Sequence, residues 1–171
     1  NPRDKEFFKK IHSVSLNQAE VCAFGSTARK LSNVENDLNL KALLETEVKT
    51  LTIFGKTWQL HSKHGLGISD IDNAKLIEQS VSFLSKNGVR VIFDAEHFFD
   101  GFKENKDFSL SCIKSAYDSG ARWVVLCDTN GGTLPDEIYN IVSEVVKIIP
   151  GQNVGIHAHN DTDNAVANTL A

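Results

Sequence analysis

The chain has 171 residues, 41% hydrophobic and 23% charged, with 11 glycines, three prolines and no methionine. That is the composition of a soluble globular domain with a sizeable core, and it excludes a disordered chain, a collagen-like repeat and a disulfide scaffold. A formal net charge of −4 argues against a general nucleic-acid binder. Cys22, Cys112 and Cys127 are odd in number, far apart and without a CxxC pair, so they read as reduced thiols of a cytosolic protein. No apolar run approaches the roughly 18 residues of a membrane span. The first residues, Asn-Pro-Arg-Asp-Lys-Glu, lack the apolar core of a signal peptide. The expectation is a cytoplasmic protein without a membrane partner. Its start at Asn1 reads either as processing or as a piece of something longer.

Five short β-type runs alternate with helical patterns along the chain. The first covers residues 19–24 and the second 48–54. An apolar face through Ile77, Val81 and Leu84 follows, with Asp70 expected as its N-cap and Lys86-Asn87-Gly88 as its end. The third run, 89–93, precedes a helix through Leu110, Ile113, Ala116 and Tyr117 that closes at Asp118-Ser119-Gly120. The fourth run, 123–127, leads to Thr133 as a cap and to a helix carrying Ile138, Ile141, Val142, Val145, Val146 and Ile149 on one face. The fifth run is 154–156. Near-continuous apolar runs of this kind suit parallel strands buried on both faces. The strands recur roughly every 30–40 residues, close to the roughly 31 of each unit in a (β/α)8 barrel. A doubly wound open sheet is the rival, weakened because no GxGxxG or GxxxxGK[ST] follows any strand.

The polar residues gather where the apolar runs end. Residue 54 is followed by Gly-Lys56-Thr-Trp-Gln-Leu-His61, residue 93 by Asp94-Ala-Glu96-His, residue 127 by Asp128-Thr129-Asn130-Gly-Gly, and residue 156 by His157-Ala-His159-Asn160-Asp161. In α/β barrels these C-terminal ends build the active site. His157 and His159 lie two apart and share a strand face, which makes either half of a divalent-metal site or a hydrogen-bonded polar rim. Asp94 and Glu96 have the same spacing and suit metal ligation, orientation of a ligating histidine, or acid–base work, against the alternative of solvated loop carboxylates. The aromatic pair Phe98 and Phe99 after Glu96 predicts apolar surroundings that raise its carboxyl pKa. Thr129 with Gly131 and Gly132 either receives an anion or makes a simple turn. Lys56, His61 and Lys63 suit anion contacts or solvent equally well.

Four strings, GKTWQLH, VIFDAEHFFDGFK, LCDTNGGTLP and GIHAHNDTDNAVANTLA, resemble the citramalate synthase branch of the isopropylmalate synthase superfamily, from about Phe24 to Ala171. The resemblance implies a metal-dependent (β/α)8 enzyme that condenses acetyl-CoA, as co-substrate, with a 2-oxo acid, most simply pyruvate to give citramalate, in isoleucine and leucine biosynthesis. It implies His157 and His159 as ligands of Mg²⁺, Mn²⁺ or Zn²⁺, Glu96 and His61 as catalytic groups, and Thr129, Asn130 and Lys56 as substrate contacts. Asp94, Asp128, Asn160 and Asp161 would stand behind the ligands. Isopropylmalate synthase, homocitrate synthase, an acyl-CoA lyase and a non-catalytic barrel remnant are the rivals. The family's early Asp-Thr-Thr-Leu-Arg-Asp-Gly-like motif and its late Asn-Gly-x-Gly-Glu-Arg-like motif do not occur here, and Ala28 stands where the branch usually carries a basic residue. The five strands therefore correspond to strands three to seven of a partial TIM (β/α)8 barrel, with residues 2–12 as the helix after strand two. The expectation is an incomplete catalytic domain over 1–171 with no second domain, inactive alone, within a full-length protein that forms a homodimer.

Overall fold

Alternating apolar strands and amphipathic helices become a single parallel sheet with helices packed on one side, in a computed structural model that describes residues 2–171. Helix α1 (Pro2–Ile11) precedes β1 (Cys22–Ser26), and α2 (Leu38–Leu44) leads to β2 (Thr50–Lys56). Helices α3 (Gln59–His61) and α4 (Asp70–Lys86) connect to β3 (Arg90–Glu96); α5 (Phe98–Glu104) and α6 (Lys106–Asp118) connect to β4 (Ala121–Asp128). Then come α7 (Pro135–Val145), β5 (Val154–Ala158) and α8 (Ala165–Leu170). The strands lie side by side in chain order, every pair parallel. No helix among the described residues is long and apolar enough to cross a membrane.

The two faces of the sheet decide between a barrel wall and a doubly wound sheet. Leu51, Ile53, Val91, Phe93, Ala95, Val124 and Leu126 point to one side and are buried there with Leu76, Ile77, Val81, Leu84, Ile113 and Ile138 of the helices. The alternate residues point the other way. There Cys22 and Phe24 are exposed, and Thr52, Phe54, Ile92, Trp123 and Val125 are half-buried. A doubly wound sheet covers both faces and reverses strand order at a switch point. This sheet covers one face and never reverses. It is a five-strand wall of a (β/α)8 barrel, with its concave side open.

Strand boundaries differ from the apolar runs mostly toward the C-terminal ends, although β4 also begins earlier, at Ala121. β2 and β3 continue to Lys56 and Glu96, and β1 begins only at Cys22. Lys56 and Glu96 are register partners on the open side, where polarity does not oppose strand pairing. The caps differ as well. Ser69 rather than Asp70 caps α4, its hydroxyl accepting from the Asp72 amide at 3.1 Å. The Thr133 side chain bonds to Asp128 instead of capping, and the Leu134 amide at the start of α7 donates to the Glu137 carboxylate at 2.9 Å. α7 ends at Val145, although Ile149 remains buried in the turn beyond it. Gly88 and Gly120 hold the left-handed conformations expected where α4 and α6 stop.

One close approach fixes the helix layer against the strand ends. A Cβ on Gly101 of α5 would lie 2.3 Å from the carbonyl oxygen of Thr57, just beyond β2, and 2.8 Å from Ser109 Oγ. Ser109 Oγ donates to that same carbonyl at 2.7 Å. Gly101→Ala is therefore expected to destabilise the fold by about 1–3 kcal/mol, the usual cost of overpacking. A lowered urea midpoint would show this, and an unchanged midpoint would contradict it.

Candidate active site at the strand ends

At the ends of β2 and β3 the Lys56 ammonium donates to Glu96 Oε2, and each side chain is 24% exposed. Thr57, fully buried, donates its hydroxyl to the Glu96 carbonyl at 2.7 Å and its amide to the same oxygen at 3.3 Å. Glu96 is thus held through both backbone and side chain. Phe98 and Phe99 do not form its surroundings. Both are fully buried as starting residues of α5, so the carboxylate meets an ammonium where the sequence predicted an apolar pocket.

On β5, His157 is the register partner of Cys127. Its Nδ1 lies 3.1 Å from Asp94 Oδ2 and 3.9 Å from Cys127 Sγ. The His157 and His159 rings are 5.1 Å apart between centroids. A proton on Nδ1 donated to the buried Asp94 leaves the Nε2 lone pair of His157 free for an ion, the usual relation between a ligating imidazole and the carboxylate behind it. Asp94, Cys127 and His157 also offer donor atoms within 4.8 Å of one another. The donors here fit a divalent cation. Burial pushes the Cys127 thiol far up, with Asp94 adding to the effect, and burial holds Cys112 in the core up to about 12.

Cys127 faces the open side, so Asp128 must face the helices. It is fully buried there and accepts from Thr133 Oγ1 at 2.9 Å, the Thr133 amide at 3.3 Å and Asn168 Nδ2 at 3.4 Å. Its carbonyl takes the amides of Gly131 at 3.0 Å and His159 at 3.3 Å. Asn160 Oδ1 accepts from the Ala165 amide at the start of α8. Asp161 packs on Gly131, where φ is 61° and a Cβ would come within 2.8 Å of its carboxylate. These three residues shape the loop that carries the histidine pair.

The remaining residues form a corner between β2, β3 and β4. Thr129 Oγ1 accepts from the His97 amide at 2.8 Å. Asn130, exposed, donates to Asp100 at 3.1 Å, and Asp100 faces His97 Nδ1 at 3.4 Å. The His97 ring stands edge-on to His61 at 4.4 Å, with Trp58 against both. Burial, then the charges of His97 and Lys56, lower the His61 pKa, and its Nδ1 is buried with no partner among the described residues. Lys63 is exposed beyond this corner. Thr57, Trp58, His97, Asp100 and Cys127 went unnoticed in the sequence as site residues. Strand parity could have found Cys127, whereas nothing in the sequence marks the left-handed backbone of His97 (φ 55°).

A barrel wall whose strand ends gather two imidazoles, a carboxylate–ammonium pair and a threonine hydroxyl has its polar groups on the face where (β/α)8 enzymes build their active sites. The family model described as HMGL-like matches residues 2–171, and the chain belongs to that family, within the citramalate and isopropylmalate synthase superfamily. It is 46% identical over 170 residues to an (R)-citramalate synthase of Sulfolobus acidocaldarius, covering 99% of this chain and 32% of that protein. It is 48% identical over 170 residues to the (R)-citramalate synthase of Geobacter sulfurreducens, again over 99% of this chain and 32% of the relative. The chain thus spans about a third of the length of the curated relatives it matches. Among solved structures, hydroxymethylglutaryl-CoA lyase from Pseudomonas aeruginosa superposes with a TM-score of 0.75 at 18% identity, over 97% of this chain and 53% of that one.

The burial of two thiols has a direct readout. Of the three free cysteines only Cys22 is exposed. At pH 8 one equivalent of a disulfide reagent should react quickly, with Cys112 and Cys127 reacting only on unfolding, and Cys22→Ser should remove the fast phase. Two fast equivalents in the native protein would contradict the placement of Cys127.

Proposed function

We propose that these strand ends condense acetyl-CoA with pyruvate to give citramalate, a step toward isoleucine and leucine, and that residues 1–171 form part of the catalytic barrel domain. The observation that supports this most is the convergence of His157 and His159 with Glu96 and Thr129 on one open strand-end face, in a chain so similar throughout to citramalate synthases. Acetyl-CoA and the 2-oxo acid are its small-molecule partners, in a cytoplasmic protein that acts as a homodimer.

A Mg²⁺, Mn²⁺ or Zn²⁺ ion held by His157 and His159 would supply Lewis-acid polarisation of a keto oxygen. The chain's own residues do the rest. Asp94 keeps the proton of His157 on Nδ1. Thr129 donates its hydroxyl proton to the carboxylate of the 2-oxo acid, and Asn130 steadies that corner through Asp100. Glu96 takes the proton from the acetyl methyl, and the ammonium of Lys56 beside it adds the positive charge that a cleft receiving carboxylates needs. His61, whose pKa burial lowers, serves as a weak base on the substrate side. Asp128, Asn160 and Asp161 hold the loop carrying the histidines.

Turnover by the complete polypeptide carrying this sequence tests the reading, with release of free CoA thiol measured across pyruvate, 2-oxoisovalerate, oxaloacetate and 2-oxoglutarate. Pyruvate should be the preferred acceptor. Glu96→Gln should lower kcat by about 100-fold or more, the usual share of a general base. Preference for another acceptor would overturn the substrate assignment, and unchanged turnover in the variant would overturn the role of Glu96.

A further inference from the structure

His97 is the one non-glycine residue at these strand ends between β2 and β4 with a left-handed backbone, at φ 55° and ψ 34°. Histidine visits this region more readily than most side chains, but a residue held there is uncommon and invites a functional explanation. The conformation sits between Glu96, the last residue of β3, and Phe98, the first of α5. It turns the His97 amide across to the neighbouring strand end, where it donates to Thr129 Oγ1 at 2.8 Å. That is the only hydrogen bond of the Thr129 hydroxyl among the described residues. With one lone pair of the oxygen engaged by an N–H, the hydroxyl's own proton has no acceptor among the described residues and is available to a ligand.

The ring explains why the backbone stays in place. It is 13% exposed, edge-on to His61, flanked by Trp58, and has Nδ1 against Asp100, which Asn130 holds in turn. Trp58 and His61 from beyond β2 and Asp100 from beyond β3 thus meet on one side chain, while Thr129 from beyond β4 takes the backbone amide. None of them needs the imidazole to touch a substrate.

We propose that His97 is a positioning residue: its left-handed backbone amide orients the Thr129 hydroxyl so that the hydroxyl proton is presented to the carboxylate of the 2-oxo acid. This rests on the 2-oxo acid reading of the cleft given above. The device acts through an N–H and a backbone conformation, so it should tolerate loss of the imidazole wherever the left-handed conformation survives. Glycine adopts that conformation without penalty and asparagine tolerates it, whereas alanine resists it.

The test measures pyruvate binding by calorimetry in the complete polypeptide, with Mn²⁺ present, together with the melting temperature of each variant. His97→Ala should weaken pyruvate about tenfold, and Thr129→Val by at least as much. His97→Gly and His97→Asn should both stay within about threefold of the wild type. The double variant His97→Ala/Thr129→Val should bind no more weakly than Thr129→Val alone, because both changes remove one device. If the alanine variant does not fold, the glycine and asparagine variants decide the matter. Loss of binding in a folded His97→Gly protein equal to that of Thr129→Val, wild-type affinity in His97→Ala, or an additive double variant would each overturn the positioning role while leaving the 2-oxo acid reading intact. A wild-type protein that binds neither pyruvate nor the other 2-oxo acids would overturn both.

Discussion

The two-residue repeat of a strand is the constraint from which the site follows. In a wall packed on one side only, each strand must send alternate residues to the helices and the rest to the open face. Val124 and Leu126 go into the helix layer, so Cys127 faces the cleft and Asp128 cannot. Phe93 and Ala95 go inward, so Asp94 and Glu96 face outward. Parallel registration then sets Lys56 beside Glu96 and Cys127 beside His157. A one-residue slip in any strand would exchange these sets and scatter the site.

Two side-chain pairs define what the face can do. Asp94 is 8% exposed at its side chain, and a carboxylate so buried needs a partner; it finds His157 Nδ1. That contact fixes which imidazole nitrogen remains available to an ion. Lys56 and Glu96 are more accessible, and their pairing keeps an acid and a base in the cleft without a ligand to neutralise either. Asp128 contributes in a third way. Its buried carboxylate ties Thr133 of the β4 turn to Asn168 of α8, and its backbone carbonyl takes the His159 amide.

Much of the architecture was legible in the sequence because apolar runs of strand length at a regular spacing admit few folds. The barrel alternation, the five strands and the clustering of chemistry at their C-terminal ends all have that origin. Side-chain partners were less legible. Phe98 and Phe99 adjoin Glu96 in sequence but belong to the helix layer, because α5 begins immediately and turns both rings inward. Lys56 is forty residues from Glu96 and becomes its neighbour only through strand register. His97 was invisible for a different reason: its backbone conformation is imposed by contacts from three strand ends, and no local pattern encodes it.

In the proposed site His157, through the nitrogen that Asp94 leaves free, and His159 hold a divalent ion facing Thr129 and Glu96. A crystal structure of the complete polypeptide with Mn²⁺ and pyruvate, with the ion located by anomalous scattering, tests it most directly. Mn²⁺ is expected on the Nε2 atom of His157 and on a ring nitrogen of His159, with His157 Nδ1 still on Asp94 and the pyruvate carboxylate against the Thr129 hydroxyl. An ion seated instead between Asp94, Cys127 and His157 Nδ1, or no ion at these strand ends, would contradict it.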